Sequence, residues 1–198
     1  MSAKIPITNV IVYVLSDSEL ARGGFRINAD GPGVRCYSTE HDSAYHPQEE
    51  LSRIVTDRCT KLINMPSLKA FEGGFAGSLF LKNHIGTLPR AEMPRCHGNK
   101  SFCSEVCARP SIKAKTILAF CDGLRGTYAR SEPWYWGGVI ASRDQIAAEC
   151  VALGIINEKR KAQSLPAFDI PQYVTEADTK FRLGTASAAN IDVAKTEM

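Results

Sequence analysis

Five short apolar runs punctuate the chain, at residues 10–15, 62–65, 78–81, 117–121 and 139–141. Each is too short for a core helix and continuous enough to be a strand buried on both faces. Between them the period changes. Leu51, Ile54, Val55, Cys59 and Leu62 recur at three- and four-residue steps, which predicts a helix from Gln48 to about Cys59. Ile146, Cys150, Leu153 and Ile156 repeat that spacing and predict a second helix, with Glu158, Lys159, Arg160 and Lys161 facing outward. Start signals sharpen the picture. Ser16 and Glu19 have capping-box spacing, and Gly23-Gly24 supplies a stop. Ser101 and Ser142-Arg143-Asp144-Gln145 open two more helices, and a short one over residues 174–181 ends near Gly184. Residues 25–46 read as irregular around the turn Asp30-Gly31-Pro32-Gly33, and residues 191–194 as a small last strand. The expected fold is α/β: one domain over residues 1–198, with a mixed, largely parallel sheet of about five strands and helices on its faces.

Composition narrows the class. A chain of 198 residues with 44% hydrophobic content can bury a sizeable core, and a net charge of +3 is mild. There is no basic block with interleaved aromatics, so nucleic acid is not an expected partner. The apolar run at residues 9–15 is too short for an export signal and lacks a small-residue cleavage site, and no run reaches membrane-spanning length. Seven cysteines, an odd number, do not suggest a disulfide framework. The expectation is a cytoplasmic protein in a reducing compartment.

Candidate chemistry concentrates after the apolar runs. The stretch 62–86 delivers Lys69, Lys82, Asn83 and His84 around the glycine-rich link Glu72-Gly73-Gly74-Phe75-Ala76-Gly77. Asp122 and Arg125 follow the run 117–121 in the same way, an acid and an anion partner in one loop. The alternative is solvated lysines and a turn aspartate. Cys96, His97, Cys103 and Cys107 place four soft ligands within twelve positions, Cys103 and Cys107 on one helix face. Zinc or an iron–sulfur cluster is one reading; cysteines that merely pack are the other, since the spacing fits no usual pattern. His41, Asp42 and His46 read as exposed loop residues, and Cys59, Cys121 and Cys150 as buried and inert. Trp134-Tyr135-Trp136 reads either as a pocket wall or as ordinary packing.

Several motifs, in order, resemble the family known as domain of unknown function 362. They are Gly24-Phe25 with Gly31-Pro32-Gly33-Val34-Arg35-Cys36, Ile63-Asn64-Met65-Pro66-Ser67-Leu68-Lys69, Leu81-Lys82-Asn83-His84-Ile85-Gly86, and His97-Gly98-Asn99. Cys121-Asp122-Gly123-Leu124-Arg125-Gly126, Ile140-Ala141-Ser142-Arg143-Asp144, Arg182-Leu183-Gly184-Thr185 and Ala189-Asn190-Ile191 complete the set. The resemblance implies an α/β fold corresponding to the family's C-terminal portion. Members usually carry an additional N-terminal α/β portion, often behind an export signal, and some have attached iron–sulfur domains. It therefore implies a partner, either a separate polypeptide supplying the N-terminal half or a second copy of this chain. Glu149 stands where the family commonly has aspartate.

Two functions remain open. In the first, Lys69, Lys82, Asn83, His84, Asp122, Arg125 and Asp144 converge at the C-terminal edge of the sheet in a redox-linked or cofactor-handling site. Lys82 and Arg125 would hold a small anionic ligand, His84 would move a proton, and Asp122 would orient it or bind a cation. No nucleophile elbow, Walker loop or dinucleotide glycine fingerprint accompanies them. In the second, the chain is a non-catalytic binding or assembly subunit, or a truncated fragment needing a partner for its missing half, and the same charges form an internal network.

Overall fold

The computed structural model describes residues 5–41, 45–72, 75–98 and 101–197. Asp42, Gly73, Gly74 and Asn99 lie outside them. The fold is α/β, as the patterning predicts, with a mixed sheet of six strands.

The N-terminal strand β1 (Ile11–Val12) does not enter that sheet. It pairs in parallel with β2 (Arg35–Cys36) as a separate ribbon. The strand expected over residues 10–15 is thus only two residues long, with one deeply buried end at Leu15. Helix α1 (Asp17–Arg22) lies between the two strands and starts as predicted: Glu19 N–H donates to Ser16 Oγ at 3.3 Å. Its stop is Gly23, followed by Gly24 at φ +82°. Thr39 Oγ1 sits within hydrogen-bonding distance of the carbonyls of Leu15 (3.2 Å) and Gly86 (3.1 Å), which ties the ribbon to the body.

The helix expected to begin at Gln48 is mostly absent. Only a π-helical turn, Ile54–Arg58, forms. Glu50 adopts φ +50°, a left-handed conformation that breaks a helix there. The segment is braced instead to helix α5 (Pro110–Lys115): Glu49 accepts both the N–H (2.8 Å) and hydroxyl (2.7 Å) of Ser111. Leu51, Ile54 and Val55 are still fully buried, so the stripe marked burial correctly and the period did not mark conformation.

The main sheet is organised by β6 (Thr116–Ala129). Strands β3 (Leu62–Asn64) and β4 (Ser67–Phe71) run parallel along it, separated by Met65 and Pro66, whose missing N–H interrupts the ladder. Strand β5 (Ala76–Gly77) adds antiparallel to β4. Beyond β6 the chain turns back as β7 (Glu132–Trp134) and β8 (Gly138–Ser142), both antiparallel to it. Between the pairs Ser67↔Asp122 and Lys69↔Thr127, β4 advances two residues and β6 five, so β6 bulges at residues 123–126. Hence Asp122 and Arg125 are not in a loop after a strand: the strand runs through them.

The run 78–81 is a helix rather than a strand: α2 (Phe80–Asn83), continued by a 3₁₀ turn over His84–Thr87. Leu79, Phe80 and Leu81 are all fully buried, and a wholly apolar run carries no period to separate helix from strand. Helices α3 (Met93–Gly98) and α4 (Ser101–Cys107) follow, then α5. The long α6 (Gln145–Ala162) opens as predicted, with Asp144 Oδ1 accepting from Ile146 and Ala147 N–H at 2.8 and 2.9 Å. Arg160, expected outside, is buried near its end. It donates to Tyr128 and Pro166 carbonyls and lies 3.8 Å from the Phe168 ring centre. Helix α7 (Gln172–Thr179) closes the regular structure, and residues 191–194 form no strand.

The sheet has two unlike faces. Leu68, Ala70, Ala119, Cys121 and Ile140 pack against Ala148, Ala152, Leu153 and Ile156 of α6. Trp134 and Trp136 join this core, so the tryptophans are packing residues, while Tyr135 is exposed. The alternate positions Ile63 (54% exposed), Met65 (61%), Leu124 (60%) and Val139 (47%) point away from α6, on a face left open among the described residues.

Candidate functional site

The expected convergence of seven polar groups does not occur. The sheet separates them into two sets. Asn64 pairs in register with Ala119, on the α6 face, whereas Asp122 pairs with Ser67 and Val139 on the open face. His84 joins Asn64, so Asp122 lies across the sheet from His84 and Lys82 and cannot orient either. Asp122 instead accepts the N–H of Leu124 at 2.9 Å, a local turn bond within the bulge. Asp144 is also structural: beyond capping α6, its Oδ2 accepts Thr185 N–H at 2.8 Å and so anchors the closing loop.

Inside the α6 face is a closed polar network. The side-chain amide of Asn64 donates to the Phe80 carbonyl (2.8 Å) and lies near His84 Nε2 (3.1 Å) and Gln145 Oε1 (3.2 Å). Its Oδ1 accepts from Asn83 at 2.8 Å. Burial pushes the His84 pKa down to about 4, so the ring is neutral at pH 7. One helical turn along α6 from Gln145, Glu149 is fully buried. It accepts the Leu81 N–H (3.1 Å) and sits 3.2 Å from Tyr173 Oη, which is 3.0 Å from the Phe75 carbonyl. Burial raises its pKa to about 7. Tyr173 has one hydrogen for two oxygen neighbours; a protonated Glu149 supplies the second and completes the chain of bonds. Asn64, Gln145, Glu149 and Tyr173 were missed as network members. The available signal was Gln145 and Glu149 at i, i+4, flanking the inward stripe of α6.

Lys82 is nearly buried. Its Nζ lies 3.4 Å from the Phe71 ring centre and 4.4 Å from that of Phe75. Burial, the largest cause, lowers its pKa to about 8. Cys103 and Cys96 favour its charged form, while the Lys69 charge opposes it. The neighbouring Cys103 and the Lys82 charge hold the Cys96 pKa below its ordinary value, while Cys103 is pushed up.

The four proposed soft ligands do not make a metal site. Cys107 donates to the Leu81 carbonyl at 3.5 Å, and His97 is exposed, its ring 5.9 Å from that of Phe75. No group of three or more His, Cys, Asp or Glu among the described residues is placed to hold a metal ion. The zinc and iron–sulfur readings find no coordination sphere here. Of the cysteines expected to be inert, Cys121 is buried but Cys59 and Cys150 are half-buried; burial raises all three thiols.

Lys69 and Arg125 do meet, on the open face. They line a cleft of about 290 Å³ with Ser67, Leu68, Gly126, Thr127, Ser131 and Pro133. The register explains it: Lys69, Thr127 and Pro133 are cross-strand neighbours, and the β6 bulge turns Arg125 out beside them. Arg125 also reaches over the Tyr135 ring, 5.8 Å from its centre. Thr127 Oγ1 is sealed from solvent yet has no hydrogen-bond partner among the described residues. Among the described residues neither cation forms an ion pair. Such a cleft can bind a small oxyanion through two charges and the hydroxyls of Ser67 and Ser131.

No family model, curated protein or solved structure matched this chain. No helix among the described residues is long and apolar enough to cross a membrane.

Proposed function

We propose that the chain is an α/β domain that binds a small oxyanion, such as a phosphate group, in the cleft between Lys69 and Arg125. The observation that carries this reading is the meeting in one cleft of two cations, neither in an ion pair among the described residues, with the side chains of Ser67 and Ser131. It retains the anion-binding part of the sequence expectation and drops the proposed participation of His84, Lys82 and Asp122 in a catalytic group. The resemblance to domain of unknown function 362 remains part of the proposal, since Lys69 and Arg125 both fall in its motifs. Calorimetric titration with inorganic phosphate tests it. Saturable binding is expected, weakened about tenfold or more by Lys69→Met or Arg125→Met, because a bond to a charged group contributes about 1.5–3 kcal/mol. Absent binding, or equal binding by both variants, would overturn the reading.

The open face favours a second reading, assembly with another copy of this chain. Ile63, Met65, Leu124 and Val139 form its apolar centre, with Asp122 among them and Lys61 and Lys69 toward either end. Two such faces related by a two-fold axis can set acid against base around an apolar contact. Sedimentation at micromolar concentration should give a dimer, and Met65→Lys with Val139→Lys should return it to monomer. A monomeric wild-type chain would refute this.

A further inference from the structure

The connection from β7 to β8 sets an aromatic ring beside the anion cleft. Exposure alternates along it: Pro133, Tyr135, Gly137 and Val139 are exposed, and the residues between them are partly covered. That alternation is the mark of extended chain, in which successive side chains take opposite faces. Trp134 and Trp136 pack into the core on the α6 side. Trp136 lies so close over Gly123 and Gly138 that an added Cβ would stand 2.4 Å from its ring at the first and 2.7 Å at the second. Tyr135 is thereby turned to the other face, the one that carries the cleft, where it is 75% exposed. Pro133, two residues earlier and turned the same way, lines the cleft itself. The pair Gly126↔Trp134 brings Arg125 opposite Tyr135, and the guanidinium carbon lies 5.8 Å from the ring centre. Arg125 therefore belongs to both features, and one ligand can touch the cation and the ring together.

We propose that the cleft takes a nucleoside monophosphate, with the phosphate between Lys69 and Arg125 and the base stacked on Tyr135; this rests on the oxyanion reading of the same cleft. A tyrosine exposed alone is ordinary surface. One set against the arginine of an anion cleft is a stacking platform, because every base has a flat face to lay on it. The spacing selects the ligand class. Two residues of extended chain separate Pro133 at the cleft from Tyr135 by about 7 Å. A nucleotide places its base one sugar away from its phosphate, a span of that order, whereas an aryl phosphate carries its ring directly on the phosphate oxygen and spans less. Both cations are side chains, so this recognition calls for no glycine-rich phosphate loop, and the sequence has none. Stacking on a single ring accepts any base, so the site reads the presence of a base and not its identity.

Calorimetric titration of the full chain with adenosine monophosphate and with ribose phosphate tests this, since the base is what separates the two. The nucleotide is expected to bind about fivefold or more tightly, as one stacked base contributes. Tyr135→Ala should remove that advantage, and Tyr135→Phe, which keeps the ring, should retain it. Lys69→Met should weaken both ligands by the same factor, because it touches only the phosphate. Phenyl phosphate should bind less tightly than the nucleotide. Equal affinity of the wild-type protein for nucleotide and ribose phosphate would overturn the proposal and leave the oxyanion reading standing. So would an advantage that survives Tyr135→Ala, one lost in Tyr135→Phe, or tighter binding of phenyl phosphate. Binding of inorganic phosphate with neither ester bound would again overturn the nucleotide alone. No binding of any of these anions would overturn both readings together. Tyr135 is largely exposed, so its variants should keep the urea midpoint of the wild-type protein, which shows that a lost advantage reports the ring and not the fold.

Discussion

Replacing Gly126 by alanine is expected to cost roughly 3 kcal/mol or more, enough to unfold much of the population of a typical domain. An added Cβ there would stand 2.2 Å from the Leu68 carbonyl oxygen and 3.2 Å from its carbon. Both are backbone atoms held in the β4–β6 pairing, so no side-chain rotation relieves the clash. Gly126 lies at the end of the β6 bulge and pairs with Trp134 on its other side, which leaves no direction in which the strand can retreat. Gly154→Ala on α6 is the matched control: nothing lies within 4 Å of its added Cβ, and the helix interior should gain about 0.5–1 kcal/mol. Urea midpoints measure both. A Gly126→Ala midpoint indistinguishable from wild type would mean that the sheet does not close as described.

The second large effect is a pH dependence hidden by two opposed titrations. Glu149 has its folded pKa raised from 4.5 to about 7, so the folded state binds the extra proton and stability falls as pH rises through that window. His84 has its folded pKa lowered from 6.5 to about 4, so the unfolded state binds the extra proton and stability rises with pH between those values. Each shift corresponds to about 3 kcal/mol. From pH 4.5 to 6.5 they nearly cancel in the wild-type protein. Glu149→Gln keeps an acceptor for Leu81 and a donor for Tyr173 and removes one titration. It should be more stable than wild type above pH 7, by up to about 3 kcal/mol, and should lose stability on acidification from pH 6.5 to 4. Denaturant midpoints across pH 4–8 give the comparison. Parallel profiles for the two proteins would show that Glu149 is ionised in the fold.

Local chemistry was legible in the sequence wherever one residue decides the backbone. Ser16 and Asp144 marked helix starts because a side-chain oxygen satisfies orphan N–H groups within three residues. The strands near residues 62, 117 and 139 were legible from apolar runs, although Ile63, Ile117 and Val139 are exposed and not buried on both faces as expected. The run 78–81 was not, because a wholly apolar run carries no period and its contacts, such as Leu81 N–H to Glu149, lie 68 residues away along the chain. The site failed for a related reason. Placing polar groups after strands presumed that the strands end there, but β6 continues through Asp122 and Arg125, across the sheet from His84. Lys69 and Arg125 came together on the open face through register and a bulge, while Asn83 and His84 met around Asn64 on the other.

Strand β6 also sets the order in which the chain can assemble. Its antiparallel partners β7 and β8 follow within a few residues, so that half of the sheet closes as a local hairpin at little entropic cost. Its parallel partners β3 and β4 lie more than fifty positions upstream, with α2 to α5 in between. Those bonds form only after a long loop has closed, which makes them the slow contacts of the fold. A ribosome releasing this chain from its N-terminus would therefore present Leu62, Leu68 and Ala70 well before their hydrogen-bonding strand exists. During synthesis the most exposed edge belongs to the part of the sheet made first.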